Sequence, residues 1–322
     1  MTKILVTGGA GYIGAHVVLE FLEAGYQVKV LDNLTTGVSS RISDLDVEFW
    51  KGDIQDEEIV KKASNGVNGI IHLAASKSVE ESVRIPEKYF RNNFLATSQF
   101  MNFVDKSDLK AIVFSSSAAV YSPKVSGLLV EGDSSIPPSP YGRSKLMCEK
   151  IFQYLFDDFN LSAVILRYFN VIAARDRARA DNSEFNLIPK TSRRVQSGLP
   201  AIVNGIDYET FDGSCVRDYV DVRDIARAHV QSFEYVLKKT EFQVLNLGSG
   251  KGFSVLQVLD EIYNQLGMDR NIQFEPRRPG DPSYLVADYM KASRLIGWNP
   301  THDLRSMISS ALAASIARPG EN

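Results

Sequence analysis

The heptapeptide Ser139-Pro-Tyr-Gly-Arg-Ser-Lys145 holds the residues best suited to chemistry. Ser139 suits a helix N-cap and Pro140 the first helical position. Tyr141 and Lys145, four apart, then share one helix face. An ammonium beside a phenol favours the phenolate and lowers the phenol pKa, which makes the tyrosine a base near neutral pH. Upstream, the apolar run 111–114 opens into Ser115-Ser116-Ser117, and Ser117 can hydrogen-bond the same substrate hydroxyl. A second Tyr-x-x-x-Lys match, Tyr235 to Lys239, lacks that setting and reads as solvated helix surface. The catalytic reading of Ser117, Tyr141 and Lys145 requires a nucleotide-binding fold around them.

The N-terminus supplies one. In Lys3-Ile-Leu-Val-Thr-Gly-Gly-Ala-Gly-Tyr-Ile-Gly14 a short apolar run, as expected of a strand buried on both faces, leads into Gly8, Gly9, Gly11 and Gly14. Ile13, Val17, Val18 and Phe21 then recur at helical spacing. Glycines let the backbone turn sharply beside a pyrophosphate, and the helix N-terminus offers it unpaired N–H groups. A second strand, 27–31, ends in Asp32, placed to bind the adenosine ribose hydroxyls. A carboxylate there repels the extra phosphate of NADP, so the expected cofactor is NAD.

Strand and helix patterns alternate through the first half. Residues 47–51 read as a strand ending at Gly52-Asp53-Ile54, 57–63 as a helix, and 69–72 as a buried strand followed by Leu73-Ala74-Ala75. One long helix is expected over 86–104, another over 140–156, and a strand over 162–166. This rhythm predicts an α/β fold, a doubly wound parallel sheet of Rossmann type. Ligands in such sheets sit at the carboxyl ends of the strands, where Asp32, Asp53, Lys77, Ser117 and Asn170 fall. Beyond Asn170, residues 171–185 read as a polar loop in which Arg175, Arg177 and Arg179 are solvated. A helix is expected over 185–195, a clear one over 222–237, and a strand over 243–247 before Gly248-Ser-Gly250. The expected organisation is an NAD-binding domain over 1–169, with 216–249 returning to it. Residues 170–215 and 250–322 form a smaller α/β substrate-binding lobe.

The chain has 322 residues, 44% of them hydrophobic and 23% charged, as in ordinary globular proteins. A net charge of -3 gives no bulk attraction to nucleic acid or an anionic membrane. No apolar run approaches the roughly 18 residues of a membrane helix. Cys148 and Cys215 make neither a disulfide framework nor a zinc pattern, and Cys148 falls within a helical pattern as a buried thiol. His16, His72, His229 and His302 are scattered without ligand spacing and read as structural, so no metal is expected. A first strand starting by Lys3 leaves no room for a signal peptide. The expectation is a cytoplasmic, reduced protein.

Several motifs carry a resemblance to the extended short-chain dehydrogenase/reductases. They are Thr7-Gly-Gly-Ala-Gly-Tyr-Ile-Gly14, Asp32-Asn33, Gly52-Asp53-Ile54, Ser115-Ser-Ser117 and Tyr141-x-x-x-Lys145. Lys77, Glu81-Ser82, Pro86, Asn92-Asn93, Leu166-Arg-Tyr-Phe-Asn170, Val216-Arg-Asp-Tyr219, Asn246-Leu-Gly248 and Pro276-Arg-Arg-Pro-Gly-Asp281 narrow it to the UDP-glucose (UDP-galactose) 4-epimerase family. The resemblance runs over nearly the whole chain. It implies that Gly8, Gly11, Tyr12, Ile13, Gly14, Asp32, Asn33, Asp53 and Ile54 hold NAD. Leu73, Ala74, Ala75, Lys77, Asn92, Ser115, Tyr141, Lys145 and Phe169 complete that set. It implies a nucleotide-sugar site of Lys77, Ser117, Tyr141, Asn170, Asn186, Leu187, Asn204, Arg217, Arg278 and Asp281. For the arginines the physics agrees, since a diphosphate suits planar, permanently charged donors.

The implied reaction is inversion at sugar C4. Tyr141 takes the C4 hydroxyl proton while hydride leaves for the nicotinamide, the 4-keto sugar turns over, and hydride returns to its other face. Lys145 tunes Tyr141 and binds the nicotinamide ribose, and Ser117 steadies the C4 oxygen. NAD stays bound. The resemblance also implies a homodimer formed through the helices at 86–104 and 140–156.

Departures from the pattern keep related activities in view: an epimerase for a uronic acid or N-acetylhexosamine, a dehydratase of the same fold, or a non-catalytic NAD-binding protein. The dehydratases carry an acid/base pair where this chain has Ala118 and Ala119, and methyl groups cannot move protons. Ala119 also replaces the epimerases' usual Thr, and Ser122 their Gly. Asn204 stands where an aromatic usually stacks on uracil, forgoing about 1–3 kcal/mol. Leu285 replaces a Tyr or smaller residue that decides tolerance of N-acetyl sugars. The loop Val171-Ile-Ala-Ala-Arg-Asp lacks the family's glycine and histidine.

Overall fold

The computed structural model describes residues 2–278 and 280–315. β1 (Lys3–Thr7), α1 (Tyr12–Glu23), β2 (Gln27–Asp32), β3 (Glu48–Lys51), α2 (Glu57–Ser64) and β4 (Gly69–His72) open the chain. Next come α3 (Val79–Arg84), α4 (Pro86–Tyr89), α5 (Ala96–Phe103), β5 (Ala111–Ser117), α6 (Pro140–Phe159) and β6 (Ser162–Tyr168). The second half holds β7 (Asn170–Ile172), α7 (Leu187–Gln196), β8 (Ala201–Asn204), β9 (Val216–Asp221), α8 (Val222–Lys238) and β10 (Phe242–Leu247). It closes with β11 (Gly252–Ser254), α9 (Val255–Leu266), β12 (Ile272–Glu275), β13 (Tyr284–Leu285), α10 (Met290–Ile296) and α11 (Leu304–Ser315).

Seven strands form one parallel sheet in the order β10-β6-β5-β4-β1-β2-β3. This is the doubly wound Rossmann architecture expected from the sequence. Its central strands are buried on both faces: in β1, Ile4 and Val6 join one apolar cluster and Leu5, between them, joins another. β9 builds a second, smaller sheet with β11, β13 and β7. β8 and β12 pair separately. A third apolar cluster, including Ile188, Tyr219, Leu259 and Ile308, lies under these short strands. No helix among the described residues is long and apolar enough to cross a membrane.

One expected helix is not continuous. Over 86–104 the chain runs as α4, a π-helical stretch Phe90–Leu95, and α5. Such wide turns recur at functional sites, and here the stretch contains Asn92 and Asn93. The helix from 140 follows expectation at its start. Ser139 caps it, its Oγ accepting from Gly142 N at 3.1 Å, and Pro140 occupies the first turn.

Candidate active site

β5 ends at Ser117, paired with Tyr168 of β6, at the carboxyl edge of the large sheet. α6 brings Tyr141 to the same edge, where the Ser117 hydroxyl faces its phenol. Lys145, one turn further on, is 3% exposed. Its ammonium donates to Ser115 O at 2.7 Å and lies 4.9 Å from the Phe114 ring centre. The three residues singled out from the sequence therefore converge.

Their electrostatics differ from expectation. Burial raises the Tyr141 pKa above its ordinary value, Ser117 opposes that shift, and Lys145 is not among its causes. Lys145 is itself pushed down to about 8 by burial, against the opposing pull of Cys148 and Glu149. The expectation that the neighbouring ammonium lowers the phenol pKa is corrected: desolvation of the buried phenol raises it.

Three contacts seat α6, and sequence reasoning missed them. A Cβ on Gly142 would come under 3.0 Å from Ala119 O, so only glycine lets the first turn lie against the 118–120 turn. Asn93, buried in the π-helical stretch, donates to Ser144 Oγ at 3.0 Å and Ser76 O at 3.1 Å, and accepts from Ser76 N at 2.8 Å. It thereby ties α6 to the loop after β4. Glu149 shares the Tyr141–Lys145 face and binds Arg167 of β6 at 2.7 and 3.0 Å and Ser116 Oγ at 2.5 Å. The signals were present in part: Glu149 continues the four-residue spacing, and Asn93 adjoins Asn92. Tyr89 adds an edge-to-face ring contact, 6.2 Å centre to centre, against Tyr141. Its hydroxyl donates to Glu81 at 2.7 Å and accepts from Ser78 N at 3.1 Å.

Across the sheet edge lies the glycine turn. Gly8 has φ +71, and a Cβ there would stand 2.8 Å from Ala74 N; one on Gly14 would overlap Gly8 O. The turn can adopt this path only with glycine at both places. Gly11 precedes α1 with no side-chain cap, which leaves the N–H groups around Tyr12, Ile13 and Gly14 for an anion. The Tyr12 side chain is not part of that face: its hydroxyl donates to Ala173 O at 2.6 Å. Asp32 lies against the turn, accepting from Ala10 N at 3.0 Å and Leu34 N at 2.8 Å. Burial raises its pKa, and the two N–H bonds and Arg41 oppose that. Each carboxylate oxygen retains acceptor capacity for a ribose hydroxyl. At the next strand end Asn33 donates to Asp53 at 2.7 Å, beside Ile54. Leu73, Ala74 and Ala75 follow β4, and Lys77 beyond them is exposed. Asn92 Nδ2 reaches Ser76 Oγ at 3.4 Å. Phe169 is buried directly after β6. An uncapped helix start, a cradle closed to any Cβ and a ribose-ready carboxylate fit an adenine dinucleotide.

On the other side stand the residues assigned to a sugar nucleotide. Asn170 begins β7 opposite Tyr219. Asn186 precedes Leu187 at the start of α7, its amide donating to Asp181 at 2.5 Å. Arg217 is buried and bound to Asp281 at 2.5 Å and Val216 O at 2.8 Å. Arg278 is exposed. Lys190 of α7, which sequence reasoning missed, has its pKa lowered by burial, with Arg278 and Arg194 adding to the effect. Asn204 ends β8, and the Tyr208 ring beyond it is covered by the Arg277 guanidinium at 4.2 Å. The expectation of a solvated arginine loop is corrected at Arg179, which is 3% exposed because two carboxylates enclose it. The other Tyr-x-x-x-Lys pair stays a surface feature: Tyr235 binds Glu241, and Lys239 is exposed.

Known proteins share this arrangement. The NAD dependent epimerase/dehydratase family matches residues 4–248. The chain belongs to that family. It is similar to the UDP-glucose 4-epimerase of Halalkalibacterium halodurans, 41% identical over 315 residues covering 96% of this chain and 94% of the relative. The Bacillus subtilis UDP-glucose 4-epimerase is 38% identical over 322 residues, covering 96% and 95%. Among solved structures, the Brucella ovis UDP-glucose 4-epimerase in complex with NAD superposes with a TM-score of 0.92 at 34% identity, covering 98% of each chain. The Bifidobacterium longum UDP-glucose 4-epimerase with NAD+ and UDP gives 0.89 at 33% identity, covering 97% and 98%.

Within the epimerase/dehydratase family, two of this chain's departures acquire a structural meaning. The turn after β5 is Ala118-Ala119-Val120, and none of these three side chains can carry a proton. Ala173, in the loop where the family's glycine is missing, has φ 79, a conformation that costs an L-residue energy.

Proposed function

We propose that this protein is an NAD-dependent nucleotide-sugar 4-epimerase that interconverts UDP-glucose and UDP-galactose through a 4-keto intermediate. The observation that carries the reading is the convergence of Ser117, Tyr141 and Lys145 at the sheet edge that also bears the glycine turn. The relatives named above, NAD-bound and UDP-bound neighbours included, support the same reaction. Asp32 favours NAD over NADP by repelling a further phosphate.

Bound NAD supplies a reversible hydride acceptor and, when oxidised, a positive ring that favours the Tyr141 phenolate. Tyr141 takes the C4 hydroxyl proton and returns it once the sugar has turned. Ser117 donates to the C4 oxygen. Lys145 holds the Ser115 carbonyl beneath the site and reaches toward the cofactor ribose. Asn186, Arg217 and Arg278 bind the diphosphate, with Asp281 orienting Arg217. Ala118 and Ala119 offer no proton for eliminating water, which weighs against a dehydratase.

The test is to incubate the purified protein with UDP-galactose and no added NAD. UDP-glucose is the expected product, and Tyr141→Phe should lower the rate by roughly 10²–10⁴-fold. A deoxy or unsaturated sugar would select the dehydratase. Failure to turn over any UDP- or TDP-sugar would sink the enzyme reading.

We also propose two lobes, with NAD on the large sheet and the sugar nucleotide under the small one. A homodimer is proposed through the groove between α5 and α6, lined by Phe94, Met101, Met147, Ile151 and Tyr154. Sedimentation as a monomer at micromolar concentration would overturn that. A cytoplasmic setting suits two buried, unpaired thiols.

A further inference from the structure

The loop 173–186 belongs to the substrate side, since it runs from β7 to Asn186, yet most of its anchors lie on the cofactor side. Ala173 O accepts from Tyr12 of α1 at 2.6 Å, and Arg175 N donates to His16 of α1 at 3.1 Å. Arg179 crosses to the segment between β2 and β3, where its Nη2 meets both oxygens of Asp44 at 2.6 and 2.7 Å. Its Nη1 holds Asp176 in its own loop at 2.6 Å. Arg41 reaches back from that segment: Nη2 donates to Ala180 O at 3.2 Å, and Nη1 approaches Ala10 O, within the glycine turn, at 3.4 Å. Asp181 follows, and it holds the Asn186 amide.

A continuous path thus runs from the glycine turn through Arg41 and Ala180 to Asp181 and Asn186. Both guanidinium groups are buried, 5% and 3% exposed, and the Nε of each lacks a partner among the described residues. Burying two such cations costs free energy, which their carboxylate and carbonyl partners must offset. A loop needing only to cover the surface has no use for them.

We infer that Arg179 and Arg41 are positioning residues that set Asn186 and the start of α7 for the substrate diphosphate from the cofactor half of the molecule. This rests on the proposed function. The strap makes substrate affinity depend on Asp44, a residue on the cofactor side and 57% exposed at its side chain.

The test compares Arg179→Gln, Asp44→Asn and their double variant as purified holoenzymes. The measurements are KM and kcat for UDP-galactose, NAD content, and hydrogen exchange of amides 174–186. Each single variant should raise KM about three- to tenfold, with kcat changed less and NAD retained, because Asp44→Asn removes one charged pair and Arg179→Gln removes that pair and the one with Asp176. The double variant should be no worse than the worse single one. Exchange in the loop should rise in all three. Asp44→Asn removes a half-exposed carboxyl and tests the strap even if Arg179→Gln folds poorly. Unchanged exchange would overturn the strap, and faster exchange with unchanged KM would reduce it to a structural tie. A native protein without epimerase activity but with a protected loop would instead remove the proposed function and the positioning role with it.

Discussion

A methyl group on Gly142 would stand under 3.0 Å from the carbonyl oxygen of Ala119. Helix α6 therefore rests backbone to backbone on the turn that follows Ser117, and the gap between Ser117 and Tyr141 depends on a missing side chain. Gly142→Ala should force the first turn of α6 outward. The expected cost is about 1–3 kcal/mol of stability, with kcat falling more than about tenfold because the phenol leaves its position. Thermal unfolding and steady-state rates check this. Wild-type kcat in Gly142→Ala would show that the contact is soft.

Lys145 gives a pH signature. Burial lowers its pKa from 10.5 to about 8 in the folded state. Between those values the unfolded chain binds more protons than the folded one, so stability from this group rises with pH through the window and is lost as pH falls toward 8. Lys145→Met should lack that rise, roughly 3 kcal/mol at one pKa unit per 1.36 kcal/mol. Denaturant melts of both proteins from pH 7 to 10 measure it. Equal slopes would mean the ammonium is better solvated than its burial implies.

Ala173 offers a stabilising change. At φ 79 its Cβ is crowded, while its carbonyl is needed by Tyr12. Ala173→Gly should raise stability by roughly 0.5–1 kcal/mol net of the extra freedom glycine gives the unfolded chain. A lower melting temperature would refute this account.

The parts of the site readable from the chain were those set by local spacing. Gly8 to Gly14, Asp32, and Tyr141 with Lys145 each sit within one strand–turn–helix unit, and their order along the chain mirrors their place on the sheet. Asn93 was readable only as a neighbour of Asn92, because its partners Ser76 and Ser144 lie 17 and 51 residues away. Arg179 looked like any loop arginine, because Asp44 is 135 residues distant.

The sequence by itself determined the parallel α/β fold, the nucleotide turn and the Ser117–Tyr141–Lys145 group, because periodicity and capping act over a few residues. The tertiary structure alone decided the direction of the Tyr141 pKa, the π-helical stretch and the burial of Arg41 and Arg179. The pKa and the two burials depend on how much solvent distant segments exclude, and desolvation is a property of the packed molecule.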